Sequence, residues 1–452
     1  MSKNVIIKGT MILTIAGILT KLLGFYNRIF LTRVIGVKEL GIYQLIFPIY
    51  MLVISFCCQG IGTSIIKHVS YYLGKNHNQN AKNVFKLGLL ISLTLSSICM
   101  ILIYCFSEPI SYYILKNSDC DVLLKYISIA FPFVAVKSSI NAYYIAQEDP
   151  RVQALSHFTE QIIRILTGYF LVYIICNIKT DASLATICVV SGEIISGIIS
   201  IIIILASKNR KYITNNTFNY TESSKNHPST MHNLTKEFLR DAIPITSNNL
   251  IFTLFASLEA ILLPAMLYKF YLSNNTAMEL YGIITGIVIP FLLFPATITT
   301  AISTMLLPAI SGAKAHNNYN KIKDAIFLCI SICLILGILT IIGYLLLGQW
   351  VCEFAFKSID AGILLKKMCV LCPFIYICGI LSTILNGIDK AFNNMIINVS
   401  GLIIRILFTT LLVPYYGLNA YILGMFICYI YMISMMSITI KSSITKNNPK
   451  AA

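Results

Sequence analysis

Five cations and three anions sit inside stretches that are otherwise apolar: Lys21, Arg28, Lys137, Arg164 and Arg405 against Glu160, Glu193 and Glu259. A charge at the centre of a bilayer costs at least about 2.5 kcal/mol, so such groups face the protein interior, pair with one another or line a substrate path. Lys21, Phe25 and Arg28 fall at i, i+4 and i+7, which puts both cations on one helix face with Gly24 beside them. Glu160 and Arg164 are i, i+4 neighbours and can neutralise each other. Arg405 has Gly401 at the corresponding place, so its partner must be Glu193 or Glu259 on another helix. Cations outnumber anions in this deep set, which suits a buried anion such as a phosphate, held by charge-assisted hydrogen bonds. Lys21, Arg28, Lys137, Arg164 and Arg405 are therefore the candidate substrate ligands. Glu160, Glu193 and Glu259 are candidates for ion coupling or structural pairing. Arg33, Lys67, His68, Lys125, Lys366 and Lys367 lie near helix ends, where long side chains reach the interface.

The elements that carry these charges are membrane helices. The chain has 452 residues, 57% hydrophobic and only 12% charged, with a mean hydropathy of +0.78, whereas soluble domains carry roughly 25% charged residues. Apolar runs long enough to cross a hydrocarbon core of about 30 Å as helices recur along the whole length. Twelve spans are predicted: 9–35, 40–73, 84–107, 122–147, 152–177, 182–207, 238–268, 280–312, 322–347, 362–388, 392–414 and 417–440. Lys3 and Lys8 before the first run mimic a signal peptide, but that run contains Lys21 and Arg28 and has no small-residue cleavage site, so it reads as a retained helix.

The net charge of +16 does not point to nucleic acid, because the basic residues are not gathered on one solvated face. Most lie in the loops and termini of one side, which predicts both termini in the cytoplasm. The opposite loops are short and lean acidic, with Glu108, Asp119, Asp121, Asp181, Glu353 and Asp360. The 14 Cys lie mostly in apolar runs and have no His at zinc spacing, so they read as small buried hydrophobes and no metal site is expected.

One polar connection, 208–236, joins two halves, an N-terminal six-helix lobe (1–207) and a C-terminal six-helix lobe (237–452). The halves repeat. "FPFVAVKSSINAYYIAQEDP" and "CPFIYICGILSTILNGIDKA" align without a gap, and "IIRIL" at 162–166 recurs intact at 403–407, an offset of 241 that carries Arg164 onto Arg405 and Gly41 onto Gly282. Six helices per half is an even number, so the repeat is parallel and its axis is expected along the membrane normal, with a substrate site between the halves near the midplane. The second helix of each half is interrupted by proline and glycine, at Pro48, Gly60 and Gly62 and at Pro290, Pro295 and Pro308. Pro48, Pro290 and Pro295 are candidate bends, of the kind tolerated where other groups take over the freed backbone.

"TKLLGFYNRIFLTRVIGVKELGIYQ" (20–44), "PFVAVKSSINAYYIAQEDPRVQALSHFTEQIIRI" (132–165) and "LYGIITGIVIPFLLFPATITTAISTMLLPAIS" (280–311) resemble the stage V sporulation protein B group of the oligosaccharide-flippase families. That group belongs to the multidrug/oligosaccharidyl-lipid/polysaccharide exporter superfamily, with the lipid II flippases and the MATE drug exporters. The resemblance covers nearly the whole chain. It implies an all-α, MATE-like fold of 12 to 14 helices in two pseudo-symmetric lobes, and alternating access that moves an undecaprenyl-diphosphate-linked sugar between leaflets of a bacterial cytoplasmic membrane. Lys21 and Arg33 fall where lipid II flippases usually carry basic residues, whereas Asn27-Arg28 departs from their Arg-Asp order. The sporulation group suggests spore-cortex peptidoglycan as the destination and cell-wall synthesis proteins as partners.

The expected activity is thus a lipid-linked-oligosaccharide flippase, not an enzyme, with no catalytic residue and no cofactor. Coupling to a Na⁺ or H⁺ gradient or to the membrane potential stays open. The main alternative is an ion-coupled multidrug exporter of MATE type, against which the cation excess of the deep set argues. A polytopic enzyme acting on lipid-linked sugars should show acidic or His clusters in sizeable outer loops, and none is present in the sequence.

Overall fold

The computed structural model describes residues 3–75, 77–147, 149–174, 181–210, 231–300, 302, 303, 306, 310, 319–388 and 390–447. Most of the linker 208–236, and Pro308, lie outside the described residues. Among those described the chain is helical, with α1 (Lys3–Leu45), α2 (Phe47–Ile54), α3 (Gly60–Gly74), α4 (Asn78–Cys105), α5 (Cys120–Ser128), α6 (Phe131–Ala146), α7 (Arg151–Tyr169) and α8 (Ala182–Arg210) in the first half. The second half has α9 (Met231–Tyr271), α10 (Asn274–Gly282), α11 (Ile289–Leu293), α12 (Tyr319–Phe356), α13 (Ile359–Met368), α14 (Cys372–Gly387), α15 (Ala391–Leu411) and α16 (Leu418–Asn447). Nine stretches among the described residues are long and apolar enough to cross a membrane. One of them, Ile15–Leu73, is 59 residues long and covers most of two predicted spans. The boundary between those two is Gly36, whose φ of 82° breaks the helical run where a side chain would be strained.

Breaks inside the other spans follow from proline. The predicted span 122–147 is two helices, α5 and α6, with Pro132 in the first turn of α6, where a missing N–H costs nothing. The span 362–388 divides the same way into α13 and α14 around Pro373. α6 and α14 begin and end at positions related by the 241-residue offset, so the repeat in sequence is a repeat in structure. Pro48 stands in the first turn of α2, after a one-residue interruption at Ile46. Pro290 opens α11 directly after a π-helical turn at Ile283–Val288, and Pro295 lies in a second interruption at Phe294–Pro295. Another π turn, Ser55–Gln59, separates α2 from α3.

Two compact units form. The first comprises Met1–Asn27 and Ile46–Thr253, and the second Arg28–Leu45 and Leu254–Ala452. α1 and α9, the first helix of each half, therefore each contribute residues to both units. The core of the first unit gathers Ile61, Ile65 and Val69 of α3, Val84 and Phe85 of α4, Ile140 of α6 and Phe238 of α9. Its α6 and α7 are joined by the Asn141 amide, which donates to Ser156 Oγ at 3.1 Å. In the second unit an Asn–Ser bond again joins the corresponding helices: Asn394 on α15 donates to Ser382 Oγ on α14 at 2.8 Å, where Ser382 is equivalent to Asn141 but Asn394 is equivalent to Gln153 and Ile397 stands at the place of Ser156.

Within the second unit, Gly41 and Gly282, equivalent under the repeat, pack backbone to backbone. A Cβ on Gly41 would lie 2.2 Å from the Met278 carbonyl oxygen, and one on Gly282 would lie 2.2 Å from that of Val37. Gly41→Val and Gly282→Val should each cost about 1–3 kcal/mol through overpacking and lower the thermal midpoint of the detergent-solubilised protein. Gly379→Ala, where nothing lies within 4 Å, should be silent in the same assay.

Candidate functional site

The deep charges of the first unit form a closed ring. Lys137 Nζ, on α6, donates to Glu160 Oε2 of α7 at 2.8 Å and to Glu193 Oε2 of α8. Arg164 Nη2, on α7, binds Glu193 Oε1 at 2.9 Å and also Glu160 Oε1. Each carboxylate gives one oxygen to the ammonium and the other to the guanidinium, so the ring of four is neutral. Its carboxylates and ammonium are almost sealed, with side-chain exposures of 7% for Lys137, 8% for Glu160 and 5% for Glu193. Burial on this scale is tolerable only because every charge has two opposite neighbours. The Tyr50 hydroxyl of α2 donates to Glu193 Oε1 at 2.9 Å, and His157 Nδ1 lies 3.6 Å from Glu160 Oε2 at the half-exposed edge. Gly192 lets Arg164 lie flat across α8, because a Cβ there would meet Arg164 Cγ at 2.6 Å.

The sequence indicated the Glu160–Arg164 pair from its spacing. The structure adds Lys137 and Glu193 to it and encloses all four. Tyr50 and His157 were not among the sequence candidates. His157 had a signal, its i, i+3 spacing to Glu160, whereas Tyr50 arrives from a distant helix and had none.

In the second unit Arg405 takes Glu259 of α9 as its partner, with Nη2 at 2.7 Å from Oε1, and reaches the Tyr421 hydroxyl at 3.3 Å. The rest of the ring has no counterpart, since the positions equivalent to Lys137, Glu160 and Glu193 hold Cys378, Gly401 and Ser434. Gly401 is instead packed against Met432 and Cys428. Only the arginine survives in both halves.

Lys21 and Arg28 both lie on α1, Lys21 exposed and Arg28 half-buried. Lys21 belongs to the first unit and Arg28 to the second. Arg33 ties α1 to the end of another helix, its Nε donating to the Ala355 carbonyl at 2.6 Å and its Nη2 to that of Phe354, so that it caps the last carbonyls of α12. Four of the remaining cations near helix ends are also engaged, and Lys367 is exposed. Lys125 binds Asp121 one turn earlier at 2.9 Å, Lys67 and His68 share Asp241 at 2.6 and 3.1 Å, and Lys366 donates to Gln349 at 2.9 Å. Among the described residues no group of three His, Cys, Asp or Glu side chains is placed to hold a metal ion.

The fold is that of the MATE transporters, and the protein is a multi-pass membrane protein. Its backbone matches an inward-facing MATE multidrug transporter of the MOP superfamily with a TM-score of 0.69, at 14% identity, covering 96% of each chain. A MOP superfamily transporter from Pyrococcus furiosus, described as having a binding pocket of reverse polarity, matches at 0.65 with 14% identity over 96% of its chain and 97% of this one. Residues 6–313 match the model of the polysaccharide biosynthesis protein family, and the chain belongs to that family. Among curated relatives, stage V sporulation protein B of Bacillus subtilis is 26% identical over 90% of this chain and 77% of its own. The lipid II flippase MurJ of the same organism is 22% identical over 94% and 80%. The resemblance read from residues 20–44, 132–165 and 280–311 is thereby borne out, as is the two-lobed all-α fold.

The ring predicts a non-additive mutant cycle. Arg164→Ala leaves two carboxylates facing one ammonium and should cost about 3–5 kcal/mol, with a matching loss of folded yield. Glu160→Ala/Arg164→Ala leaves the neutral Lys137–Glu193 pair and should recover much of that yield. The measurement is the monodisperse fraction on size exclusion, and additive losses would contradict the ring.

Proposed function

We propose that this protein is a flippase that carries an anionic lipid-linked oligosaccharide, of the undecaprenyl-diphosphate class used for peptidoglycan, across a bacterial cytoplasmic membrane by alternating access. Both termini are proposed to be cytoplasmic, from the loop-charge asymmetry. The observation that carries the reading is the disposition of the buried glutamates. Glu160, Glu193 and Glu259 are each ion-paired with a cation of this chain, and the deep set as a whole is positive, so the interior is arranged for an anion rather than for a cationic drug. The relatives support the substrate class, since one is named a lipid II flippase and another a sporulation protein, which also favours a spore-wall destination.

Lys21 and Arg28 are the proposed first ligands of the diphosphate. Lys137, Arg164 and Arg405 can act as ligands only by exchanging a glutamate for a phosphate, and stranding that carboxylate is costly. The polyprenyl tail stays in lipid throughout, so the protein needs to shelter only the headgroup. No nucleophile is required. The energy source in this reading is an ion gradient or the membrane potential, acting on the conformational equilibrium and not on chemistry.

The test is translocation of a lipid-linked precursor by the purified protein in vesicles. Lys21→Gln and Arg28→Gln should leave the protein folded and lower translocation about tenfold, from loss of one charge-assisted contact. Lys21→Arg should keep most activity, because a phosphate accepts either cation. Lys21→Glu/Arg28→Glu should abolish it. Wild-type translocation by that double variant would overturn the assignment of the diphosphate site to these two cations, and no precursor translocation by the wild-type protein would overturn the flippase reading.

A further inference from the structure

The second membrane helix of each half contains a backbone defect, and in both halves hydroxyls from other membrane helices donate to backbone carbonyls at or just ahead of the defect. In the first unit the defect is the π turn Ser55–Gln59, and Ser92 Oγ on α4 donates to the Cys57 carbonyl at 2.6 Å. In the second unit it is the break at Phe294–Pro295 that follows α11. Proline has no N–H to give to the carbonyl four residues back, which here is Phe291. Backbone bonds shorten to three-residue spacing through the break, from Phe294 N–H to Phe291 O at 3.2 Å and from Thr297 N–H to Phe294 O at 3.1 Å. Two tyrosines then donate to consecutive carbonyls ahead of the proline. The Tyr344 hydroxyl of α12 donates to Phe291 O at 2.6 Å, and the Tyr376 hydroxyl of α14 donates to Leu292 O at 2.9 Å.

Tyr376 is fully buried, so its hydroxyl needs a partner inside the protein. Beside the break lies an apolar groove of about 400 Å³, walled by Phe291, Phe294, Pro295, Leu339, Tyr344 and Leu347. The Tyr344 hydroxyl is a polar group at the wall of this groove and is already committed to the backbone. A helix with interrupted hydrogen bonds, free space on one side and two donors from different helices on its carbonyls has the parts of a latched hinge.

We propose that Phe294–Pro295 is a hinge in the second membrane helix of the C-terminal half, and that the hydroxyls of Tyr344 and Tyr376 are its latch. The latch holds the bent form by satisfying the two carbonyls, and releases when the segment moves into the groove. Tyr344 and Tyr376 are positioning residues and contact no substrate. Ser92 on Cys57 is the corresponding single-bond latch in the first half. The part this hinge plays in transport rests on the alternating-access reading, whereas the latch itself does not.

Amide hydrogen exchange over residues 289–298 of the full-length protein in nanodiscs tests it. Tyr344→Phe/Tyr376→Phe removes both hydroxyls and keeps the rings, and should speed exchange roughly two- to tenfold for each lost bond. Pro295→Ala restores the missing N–H, and in that background the two phenylalanines should change exchange by less than about twofold. Equal acceleration in both backgrounds would overturn the latch, because the tyrosines would then serve only to pack helices. No acceleration in either would overturn it as well. Where the double variant folds poorly, Tyr344→Phe alone, at the half-buried position, makes the same comparison. Faster exchange with unchanged precursor translocation would refute the hinge's part in transport and leave the substrate reading, which stands on Lys21 and Arg28, untouched.

Discussion

A neutral ring of four buried charges, Lys137, Glu160, Arg164 and Glu193, fixes how α6, α7 and α8 meet in the first unit. Removing such charges from water is expensive, and only near-ideal mutual geometry offsets it. The helices therefore have little freedom to slide or rotate against one another without opening an ion pair in a medium that offers no substitute partner. The same constraint has a functional side. The charges of the ring cancel, so it presents no net charge to a ligand, and the cationic excess of the deep set lies on Lys21 and Arg28 of α1.

The two halves started from one plan and kept different parts of it. The offset of 241 reproduces both ends of α6 in α14, the proline in the first turn of each, and the Gly41–Gly282 contact. An Asn–Ser bond joins the corresponding helices in both, Asn141 with Ser156 in one and Ser382 with Asn394 in the other, with only Asn141 and Ser382 at equivalent positions. The ring did not persist. Arg405 lost Glu160's equivalent to Gly401 and found Glu259, a residue that the first half does not match, since Ile18 stands at its equivalent position. One lobe is held by a four-membered ring and the other by a single pair with Tyr421.

Sequence patterns disclosed the fold through features that are local or repeated: apolar run length, loop-charge bias, and a shared "IIRIL" in one register. The break at Gly36 falls between two predicted spans, whereas the division at Pro132 lies inside one and was not read from the sequence. The site was legible only in part. Membrane burial makes any charge conspicuous, which is why all members of the ring stood out, but pairing between helices depends on packing that spacing does not encode. Glu160–Arg164 was visible as an i, i+4 pair, and Arg405–Glu259 remained one of two options until α9 was placed. Arg33 looked like an interfacial side chain, and its capping of Ala355 and Phe354 required two segments more than 300 positions apart to meet. Tyr50, Tyr344 and Tyr376 were invisible for the same reason, since a tyrosine in an apolar run looks like core until its hydroxyl finds a carbonyl or a carboxylate.

The central claim is that the interior recognises an anionic lipid headgroup. Binding of the purified wild-type protein to an undecaprenyl-diphosphate-linked sugar, measured by native mass spectrometry in competition with a cationic drug, tests it most directly. The account predicts that the diphosphate lipid is retained, that added inorganic diphosphate displaces it, and that the drug does not compete. Retention of the drug with release of the lipid would contradict the account.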